Sequence, residues 1–405
     1  MQTWGSLHAQ AQPLALQGIR AQVLDAETLL LEYALGETAS HLWVVSKDGL
    51  AQHRLAGRET IERAARRVHE LASAMPAPTD AAWRAASGEL SRLVLPPDLN
   101  RRGATRLLIV APGALQYVPF SLLPVPVASG ETSVPLLAQF EIVNAPSASV
   151  LARLRQERAG RAPASRSVAI FADPVFEPSD PRLRPAGRGR DRAAAPAAPA
   201  PLERALRGVR AGALTRLPFS RQEADAIVAS APRGTSLRAF GFEANRSAAT
   251  SGDLAAYRIV HFATHGIVNA RQPELSGVVL SLFDRQGRKE DGFLRLHDID
   301  GLHLGAELVV LSACQTGLGR DLRGEGIVGL TRAFMHAGTP RVVASLWQVD
   351  DLATAELMKR FYRRLFEEKL APAAALRAAQ RELAASRRWN APYYWAGFVL
   401  HGEWR

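Results

Sequence analysis

The sequence predicts a three-layer α/β/α sandwich built around a mostly parallel β-sheet. Short aliphatic runs such as Leu107–Val110, Val168–Phe171 and Leu308–Leu311 lack the polar alternation of a half-exposed strand. Such runs are typical of strands buried on both faces. They alternate along the chain with segments of helical periodicity, for example Glu59–Met75 and Asp351–Phe366. Alternating strands and helices favour a parallel sheet with helices on its faces.

Composition excludes several classes of protein. With 405 residues and 47% hydrophobic content, the chain is long enough for one large core or two smaller ones. No apolar run reaches the roughly 18 residues of a membrane span, and the first residues do not match a signal peptide. A single cysteine excludes an internal disulfide framework and is typical of a reducing compartment. We therefore expect a cytoplasmic protein that does not associate with membranes.

The net charge of +11 is carried mostly by arginines that are scattered along the chain. A positive charge of this size attracts nucleic acid or acidic protein surfaces. However, the sequence has no signature of a nucleic-acid-binding fold and no basic stripe with interleaved aromatic residues. A composition rich in Ala, Arg and Pro is the simpler explanation of the charge, so nucleic-acid binding is not expected.

Individual elements follow from local patterns. Ala21–Leu35 and His41–Val45 read as paired strands, and Leu107–Val110 as a buried strand that Pro112 and Gly113 terminate. Ser220–Ala231 reads as a helix, because Ser220 and Glu223 have the spacing of a capping box. Further strands are expected at Val278–Phe283, Arg341–Trp347 and Tyr394–His401.

The only cysteine, Cys314, closely follows a buried strand. The segment Ser312–Gly317 ends this strand, so Cys314 is expected at the carboxyl edge of the sheet. Ligands and chemistry gather at that edge in open α/β sheets. Taken alone, a single cysteine in this position is more often a small apolar core residue. A second strand changes the balance between the two interpretations.

That second strand, Tyr257–Gly266, ends in His265 and Gly266. His265 precedes Cys314 by about 50 residues, a spacing that occurs in caspase-type proteases. An adjacent imidazole raises the thiolate fraction of a cysteine and later protonates the leaving amine. Because Gly266 has no side chain, its N–H can approach a substrate carbonyl, and the N–H groups of Gly266 and Cys314 would form an oxyanion hole. The sequence therefore predicts a Cys–His dyad.

Other candidate residues are assigned structural roles. His261 lies four residues before His265 on the same strand and is expected deeper in the core. The sequence has no phosphate-binding loop and no Gly-x-Ser-x-Gly elbow, which argues against a nucleotidase or a serine hydrolase. No metal site and no cofactor is predicted, because four further histidines lack metal-ligand spacing with the single cysteine. These are His297, His303, His336 and His401.

Several segments together resemble the CHAT domain, a caspase- and separase-like group of clan CD cysteine proteases. They are His261–Gly266, Val309–Gly319, Gly324–Leu330, Val342–Asp351 and Tyr393–Gly402. The resemblance implies a caspase-like fold in which an N-terminal pseudo-protease half, residues 1–160, packs against a catalytic half, residues 161–405. The N-terminal half contains no cysteine and cannot supply a thiol nucleophile.

The resemblance implies a cysteine endopeptidase that performs limited, regulated proteolysis of a partner protein, in bacterial defence or cell death. Cys314 would be the nucleophile, and His265 the general base and then the acid. The alternative is a catalytically silent CHAT scaffold, against which the intact His265, Gly266 and Cys314 weigh. CHAT domains often follow TPR arrays, but this chain has no repeat of about 34 residues. Either the chain works alone, or a partner such as a TPR-type module or an activating protein supplies recognition.

The resemblance also implies where the substrate residue before the cleaved bond, P1, would bind. Acids around this pocket, chiefly Asp173, would favour cleavage after Arg or Lys through charge-assisted hydrogen bonds. Alternatively, Asp173 caps a turn before Pro174, and Asp350 or Asp351 caps the helix that follows them. An apolar P1 residue also stays open. The predicted substrate-binding residues are Asp173, Ser312, Trp347, Asp350 and Asp351.

Residues 182–201 consist largely of Arg, Ala, Pro and Gly, with almost no aliphatic content. Such a segment cannot bury enough apolar surface to offset the entropy of ordering, which predicts a disordered loop. Its role is either that of a cleavable activation linker or that of a tolerated surface insertion, and the sequence leaves both open.

Overall fold

The computed structural model describes residues 13–75, 79–126, 134–183, 200–209, 214–269, 272–312, 315–316 and 326–404. Cys314 and most of the predicted loop, residues 184–199, lie outside the described residues. The chain forms two compact units, and each is described by itself. We call Met1–Arg161 with Lys369–Arg405 the terminal unit, and Ala162–Glu368 the central unit.

The described elements are numbered in chain order. The strands are β1 (Thr28–Ala34), β2 (Ser40–Val45), β3 (Leu50–Leu55), β4 (Arg106–Val110), β5 (Glu141–Asn144), β6 (Arg166–Ala172), β7 (Ser236–Phe240), β8 (Tyr257–Ala263), β9 (Gly266–Val268), β10 (Gly277–Val279), β11 (Phe293–Arg295), β12 (Leu308–Leu311), β13 (Gln315–Thr316), β14 (Arg341–Ser345) and β15 (Phe398–Gly402). The helices are α1 (Leu16–Gln22), α2 (Arg58–Ala72), α3 (Asp80–Val94), α4 (Leu136–Gln139), α5 (Ala148–Arg158), α6 (Ala200–Val209), α7 (Pro218–Ser230), α8 (Arg246–Ala249), α9 (Leu296–Asp300), α10 (Gly326–His336), α11 (Asp351–Phe366) and α12 (Pro372–Ala384).

The terminal unit contains a mixed sheet with the strand order β3-β2-β1-β4-β5-β15. The β1–β2–β3 part is antiparallel, as predicted for the first two strands, and the rest is parallel. Alternate residues of β1 and β4, such as Leu29, Leu31 and Ile109, form a hydrophobic core with Ile61 of α2 and Leu90 of α3. This alternation is the period-2 pattern of a strand with one face turned towards helices.

The two compact units differ at one point from the predicted division of the chain. The first boundary, Arg161, lies next to the expected residue 160. However, Lys369–Arg405 belongs to the terminal unit and not to the half that carries the predicted dyad. The physical reason is that β15 pairs in parallel with β5, with Leu400 opposite Val143. In addition, α12 packs against both of these strands.

The central unit has a parallel sheet with the strand order β14-β12-β8-β6-β7. Phe262 of β8 stacks on Phe171 of β6, with ring centroids 5.1 Å apart, and it contacts Phe334 of α10 at 5.8 Å. Its neighbour His261 contacts Glu223 of α7 and Tyr362 of α11. Because successive strand residues point to opposite faces, α10 covers one face and α7 and α11 cover the other. This arrangement confirms the predicted three-layer α/β class.

A small second sheet, with the strand order β11-β10-β9-β13, continues from the end of β8. Strand β9 begins at Gly266 and pairs antiparallel with β10 and parallel with β13. Leu202 of α6 packs in a core with Ile267 of β9 and with Phe176. The predicted strand Val278–Phe283 is therefore shorter in the structure, ending at Val279, because its pairing partners β9 and β11 are short.

Both ends of the predicted loop at residues 182–201 are ordered in the structure. Arg182 forms an ion pair with Asp180, with Nη2 and Oδ2 2.6 Å apart. At the other end, Ala200 begins α6.

The predicted capping box at the start of α7 is wrong. The helix begins at Pro218, whose missing N–H would have no helical partner in any case. The hydroxyl of Ser220 donates to the carbonyl of Leu217, and Glu223 is 1% exposed and hydrogen-bonded to His261.

No helix among the described residues is both long and apolar enough to cross a bilayer.

Candidate active site

His265 lies at the carboxyl end of β8 and is 1% exposed. Its Nε2 lies 2.6 Å from the carbonyl oxygen of Thr215. Because a carbonyl only accepts, Nε2 must carry the proton and Nδ1 is the free acceptor of the neutral ring. Phe176 packs on the imidazole, with ring centroids 4.9 Å apart. These contacts fix both the orientation and the tautomer of the ring.

Burial lowers the pKa of His265, and the hydrogen bond to the Thr215 carbonyl offsets part of this effect. Desolvation disfavours the charged imidazolium, so the ring is neutral at neutral pH. A neutral imidazole with a fixed tautomer is the form that a general base requires.

Cys314 lies outside the described residues, but the segments on either side of it are described. The N–H of Ser312 donates to the carbonyl of Phe262 on β8, at 3.1 Å. On the other side, Gln315 pairs with Ile267 of β9 in parallel register. Both flanking segments therefore lie against the stretch of chain that carries His265 and Gly266.

A pocket opens at the carboxyl edge of the central sheet. It contains about 370 Å³ of atom-free space, which includes open solvent. Of the predicted site residues, it brings together His265, Ser312 and Asp351. The other lining residues are Leu217, Ser220, Glu223, Ala263, Gln348, Val349 and Thr354.

Asp351 is the first residue of α11 and lines this pocket. Its Oδ2 accepts the N–H of Phe219, at 2.9 Å. Burial raises the pKa of Asp351 to about 6, and the nearby carboxylates of Glu223, Asp350 and Asp173 contribute further. A cationic group in the pocket would relieve both effects, because it favours the ionised form.

Asp350 and Trp347, the other two predicted site residues that follow β14, make contacts within the protein itself. Asp350 caps α11, since its Oδ1 accepts the N–H of Ala353 at 2.9 Å. This observation agrees with the helix-cap alternative for the acids at 350 and 351. Trp347 is 4% exposed, and its carbonyl accepts the hydroxyl of Ser345. Neither Asp350 nor Trp347 lines the pocket described above.

Asp173 is 4% exposed, and its carboxylate forms ion pairs with two arginines of the chain. Its two carboxylate oxygens accept hydrogen bonds from Nε and Nη2 of Arg216, at 2.8 and 2.9 Å. Arg182 approaches the same carboxylate, with Nη1 and Oδ2 2.8 Å apart. Asp173 does not line the pocket, and these contacts favour a structural role over contact with a substrate cation.

His261 is a core residue, as predicted. It is fully buried, with Nε2 2.7 Å from Glu223 and Nδ1 2.9 Å from the hydroxyl of Tyr362. Among the described residues, no group of three or more His, Cys, Asp or Glu side chains could hold a metal ion.

Sequence reasoning missed Thr215, Arg216 and Glu223. Thr215 acts through its backbone carbonyl, which every residue carries, so no residue type could reveal it. Arg216 is one of many arginines in the chain. Glu223 has the spacing of a capping box and was assigned to the helix start for that reason.

Known proteins resemble this chain in sequence and in fold. A family model described as CHAT domain matches residues 84–403. Tetratricopeptide repeat protein 28 of Mus musculus is 38% identical over 106 residues, and the human protein is 36% identical over the same length. The matched part is 26% of this chain and only 4% of the mouse protein.

Two solved structures of proteases were similar to this chain in the comparison of folds. Separase in the Saccharomyces cerevisiae separase–securin complex superposes with a TM-score of 0.51 at 9% identity, covering 96% of this chain and 30% of separase. The Arg-specific cysteine proteinase gingipain R superposes with a TM-score of 0.44 at 10% identity, covering 86% of this chain and 74% of the other. The separase superposition supports the caspase-like fold and nothing further.

Proposed function

The chain belongs to the CHAT domain family, and from this premise we propose that it is a cysteine endopeptidase. Cys314 is the nucleophile, and His265 is the general base and then the acid. The observation that carries the proposal is the buried imidazole of His265, whose Nε2–H is held by the Thr215 carbonyl. This imidazole belongs to the stretch of chain against which both segments flanking Cys314 pair.

The proposed mechanism uses the free Nδ1 of His265. Nδ1 takes the proton of the Cys314 thiol, and the thiolate attacks the peptide carbonyl. The N–H groups of Gly266 and Cys314 stabilise the oxyanion of the tetrahedral intermediate. The imidazolium then protonates the leaving amine, and a thioester forms. Water, deprotonated by the same imidazole, hydrolyses the thioester and regenerates the thiol.

We assign recognition of a P1 Arg or Lys to Asp351, because Asp351 lines the pocket that also contains His265 and Ser312. Ionised Asp351 would form charge-assisted hydrogen bonds with a guanidinium or ammonium group. Glu223 adds negative charge at the same pocket. This assignment replaces Asp173 as the main acidic determinant, because Asp173 is already paired with Arg216 and Arg182.

The test is cleavage of a peptide library by the wild type, Cys314→Ala and His265→Gln, with the cut sites read by mass spectrometry. Cuts made by the wild type should disappear in both variants. His297→Gln is the matched control, because this side chain is 65% exposed and its loss should leave cleavage intact. Persistence of the same cuts in Cys314→Ala would refute the proposal.

The catalytically silent scaffold is the second candidate, and the same variant distinguishes it. A scaffold needs the groove but not the thiol, so Cys314→Ala should retain every activity of a scaffold. An endopeptidase should lose all cleavage with the same substitution.

We further propose that the substrate is a dedicated partner protein and that a TPR-type module supplies recognition. The similarity of 106 residues to a tetratricopeptide repeat protein supports such a module. A role in bacterial defence or cell death, and a cytoplasmic location, stay predictions from the family resemblance and from the single cysteine. Comparison of new protein termini in cells that produce the wild type or Cys314→Ala would identify the substrate.

A further inference from the structure

Asp173 has an unusual backbone conformation. Its φ is 52°, and among the described residues only Lys369 is another non-glycine with positive φ. A side chain with a Cβ is strained in this region, although Asp tolerates it better than most residues. Such strain persists only where the surroundings impose it, and it concentrates at functional sites.

Polar contacts hold the strained residue from several directions. The N–H of Asp173 donates to the hydroxyl of Ser220, at 3.1 Å. Its carbonyl accepts Nη1 of Arg182, at 2.8 Å. Its carboxylate receives the two parallel N–H groups of Arg216. This bidentate fork defines both the distance and the plane of the guanidinium.

Arg216 shares a peptide bond with Thr215, whose carbonyl accepts Nε2–H of His265. Because that peptide unit is planar, anchoring Arg216 restricts the direction of the Thr215 carbonyl. Thr215 itself is exposed and lies outside any helix or strand, so its own side chain does not hold the carbonyl in place. The neighbouring Leu214 is buried in the core of the small sheet and supplies the other anchor.

We propose that Asp173 and Arg216 are positioning residues, which hold the Thr215 carbonyl against His265 and thereby keep Nδ1 of the imidazole free to act as the base. The kinetic consequence of this role rests on the proposed endopeptidase function. The structural consequence, a single imidazole tautomer, does not depend on that function.

The first test measures the tautomer directly. Protein labelled with ¹⁵N-histidine is examined by NMR above the pKa of His265, and the His265 signals are identified by their loss in His265→Gln. The wild type should show one tautomer, with the proton on Nε2. Arg216→Gln and Asp173→Asn should show a mixture of tautomers. Retention of the single Nε2–H tautomer in both variants would overturn the proposal, whether or not the protein cleaves peptides.

Arg246→Gln is the matched control for the loss of an ion pair. The substitution removes an ion pair in the same unit, in which Nη2 of Arg246 lies 2.6 Å from Oδ1 of Asp298. Neither residue of this pair contacts His265. Its His265 tautomer should be that of the wild type. Arg216→Gln is the variant expected to fold best, because Asp173 keeps Arg182 as a partner. The signals of buried His261 report whether each variant is folded.

The second test separates positioning from substrate recognition. With peptides that have either an Arg or an apolar P1 residue, both variants should lower kcat by roughly 10- to 100-fold and change KM little. The double variant should be no worse than the poorer single variant, because the two residues act as a unit. A rise in KM confined to Arg peptides would instead make Asp173 a P1-binding residue and overturn the proposal.

Discussion

At the scale of single residues, burial acts on two groups of one pocket in opposite directions. It lowers the pKa of His265 and raises the pKa of Asp351 to about 6. In both cases it disfavours the charged form. The neutral imidazole suits the proposed base, whereas the carboxylate becomes fully ionised only above pH 6 or when a cation enters the pocket.

Asp351 should therefore reduce stability at neutral pH. Its folded-state pKa of about 6 exceeds the ordinary value of 3.8, so between these values the folded state binds more protons than the unfolded state. Stability then falls as pH rises through this window and stays reduced above it. We expect Asp351→Asn to raise the thermal midpoint at pH 8 and to match the wild type near pH 4.

Calorimetry at several pH values checks this expectation. Asp225→Asn is the control, because Asp225 lies on α7 and its side chain is 55% exposed. A variant that melts below the wild type at pH 8 would contradict the assignment of a raised pKa to Asp351. The same variant should lose cleavage of Arg and Lys peptides more than cleavage of apolar ones.

The hydroxyl of Tyr362 supports the buried histidine beside the site. Tyr362→Phe removes the hydroxyl that is hydrogen-bonded to Nδ1 of His261, so this fully buried nitrogen loses its hydrogen-bond partner. We expect the free energy of unfolding to fall by about 1–3 kcal/mol, measured by urea titration. Tyr257→Phe is the comparison, because its hydroxyl bonds the guanidinium of Arg166 in a partly exposed position. An equal or larger loss in Tyr257→Phe would contradict this explanation.

At the scale of elements, the small sheet controls the backbone that follows His265. Gly277 of β10 lies opposite Ile267 of β9 and opposite Arg295 of β11. A Cβ at Gly277 would lie 2.3 Å from the carbonyl oxygen of Leu294, and backbone cannot yield as a flexible side chain does. The position therefore needs glycine for close approach of the strands, not for an unusual φ.

Gly277→Ala should separate β10 from its neighbours and loosen β9, which begins with the proposed oxyanion donor Gly266. We expect faster amide hydrogen exchange in β9 and β11, and a loss of stability of about 1–3 kcal/mol, as for other overpacking substitutions. Hydrogen-exchange mass spectrometry reads the local effect. Gly252→Ala is the control, since no atom lies within 4 Å of its Cβ position. Unchanged exchange of β9 in Gly277→Ala would refute this reasoning.

At the scale of the whole molecule, the segment Lys369–Arg405 completes the terminal unit. Phe398 and Leu400 of β15 and the nearby Trp404 are almost fully buried. Trp404 also lies under the guanidinium of Arg155, 4.4 Å from its ring centroid. Residues far apart in sequence therefore share one core.

Removal of Lys369–Arg405 should consequently disrupt the terminal unit. We expect β4 and β5 to lose protection from hydrogen exchange, because β5 loses its partner β15. Protection of β6 and β8 should persist. The reverse pattern, with loss of protection in β6 and β8 alone, would contradict the assignment of the C-terminal segment to the terminal unit.

The sequence by itself determined the α/β class, the positions of most strands and the place of His265 at the carboxyl end of β8. These features depend on local periodicity and on residues that end strands, and both can be read from neighbouring positions. Local reading was less reliable where two elements follow each other closely. Ala21–Leu35 was expected as one strand, but helix α1 ends at Gln22 and β1 begins at Thr28.

Only the tertiary structure decided which residues surround His265. The partner of its Nε2 is a backbone carbonyl, the Asp173 carboxylate is paired with Arg216 from 43 positions away, and Glu223 bonds His261 instead of capping its own helix. The return of β15 to β5 joins residues 256 positions apart, as the contact of Asn144 with Leu400 shows. Such pairings depend on which strands become neighbours in the sheet, and no local pattern records that choice.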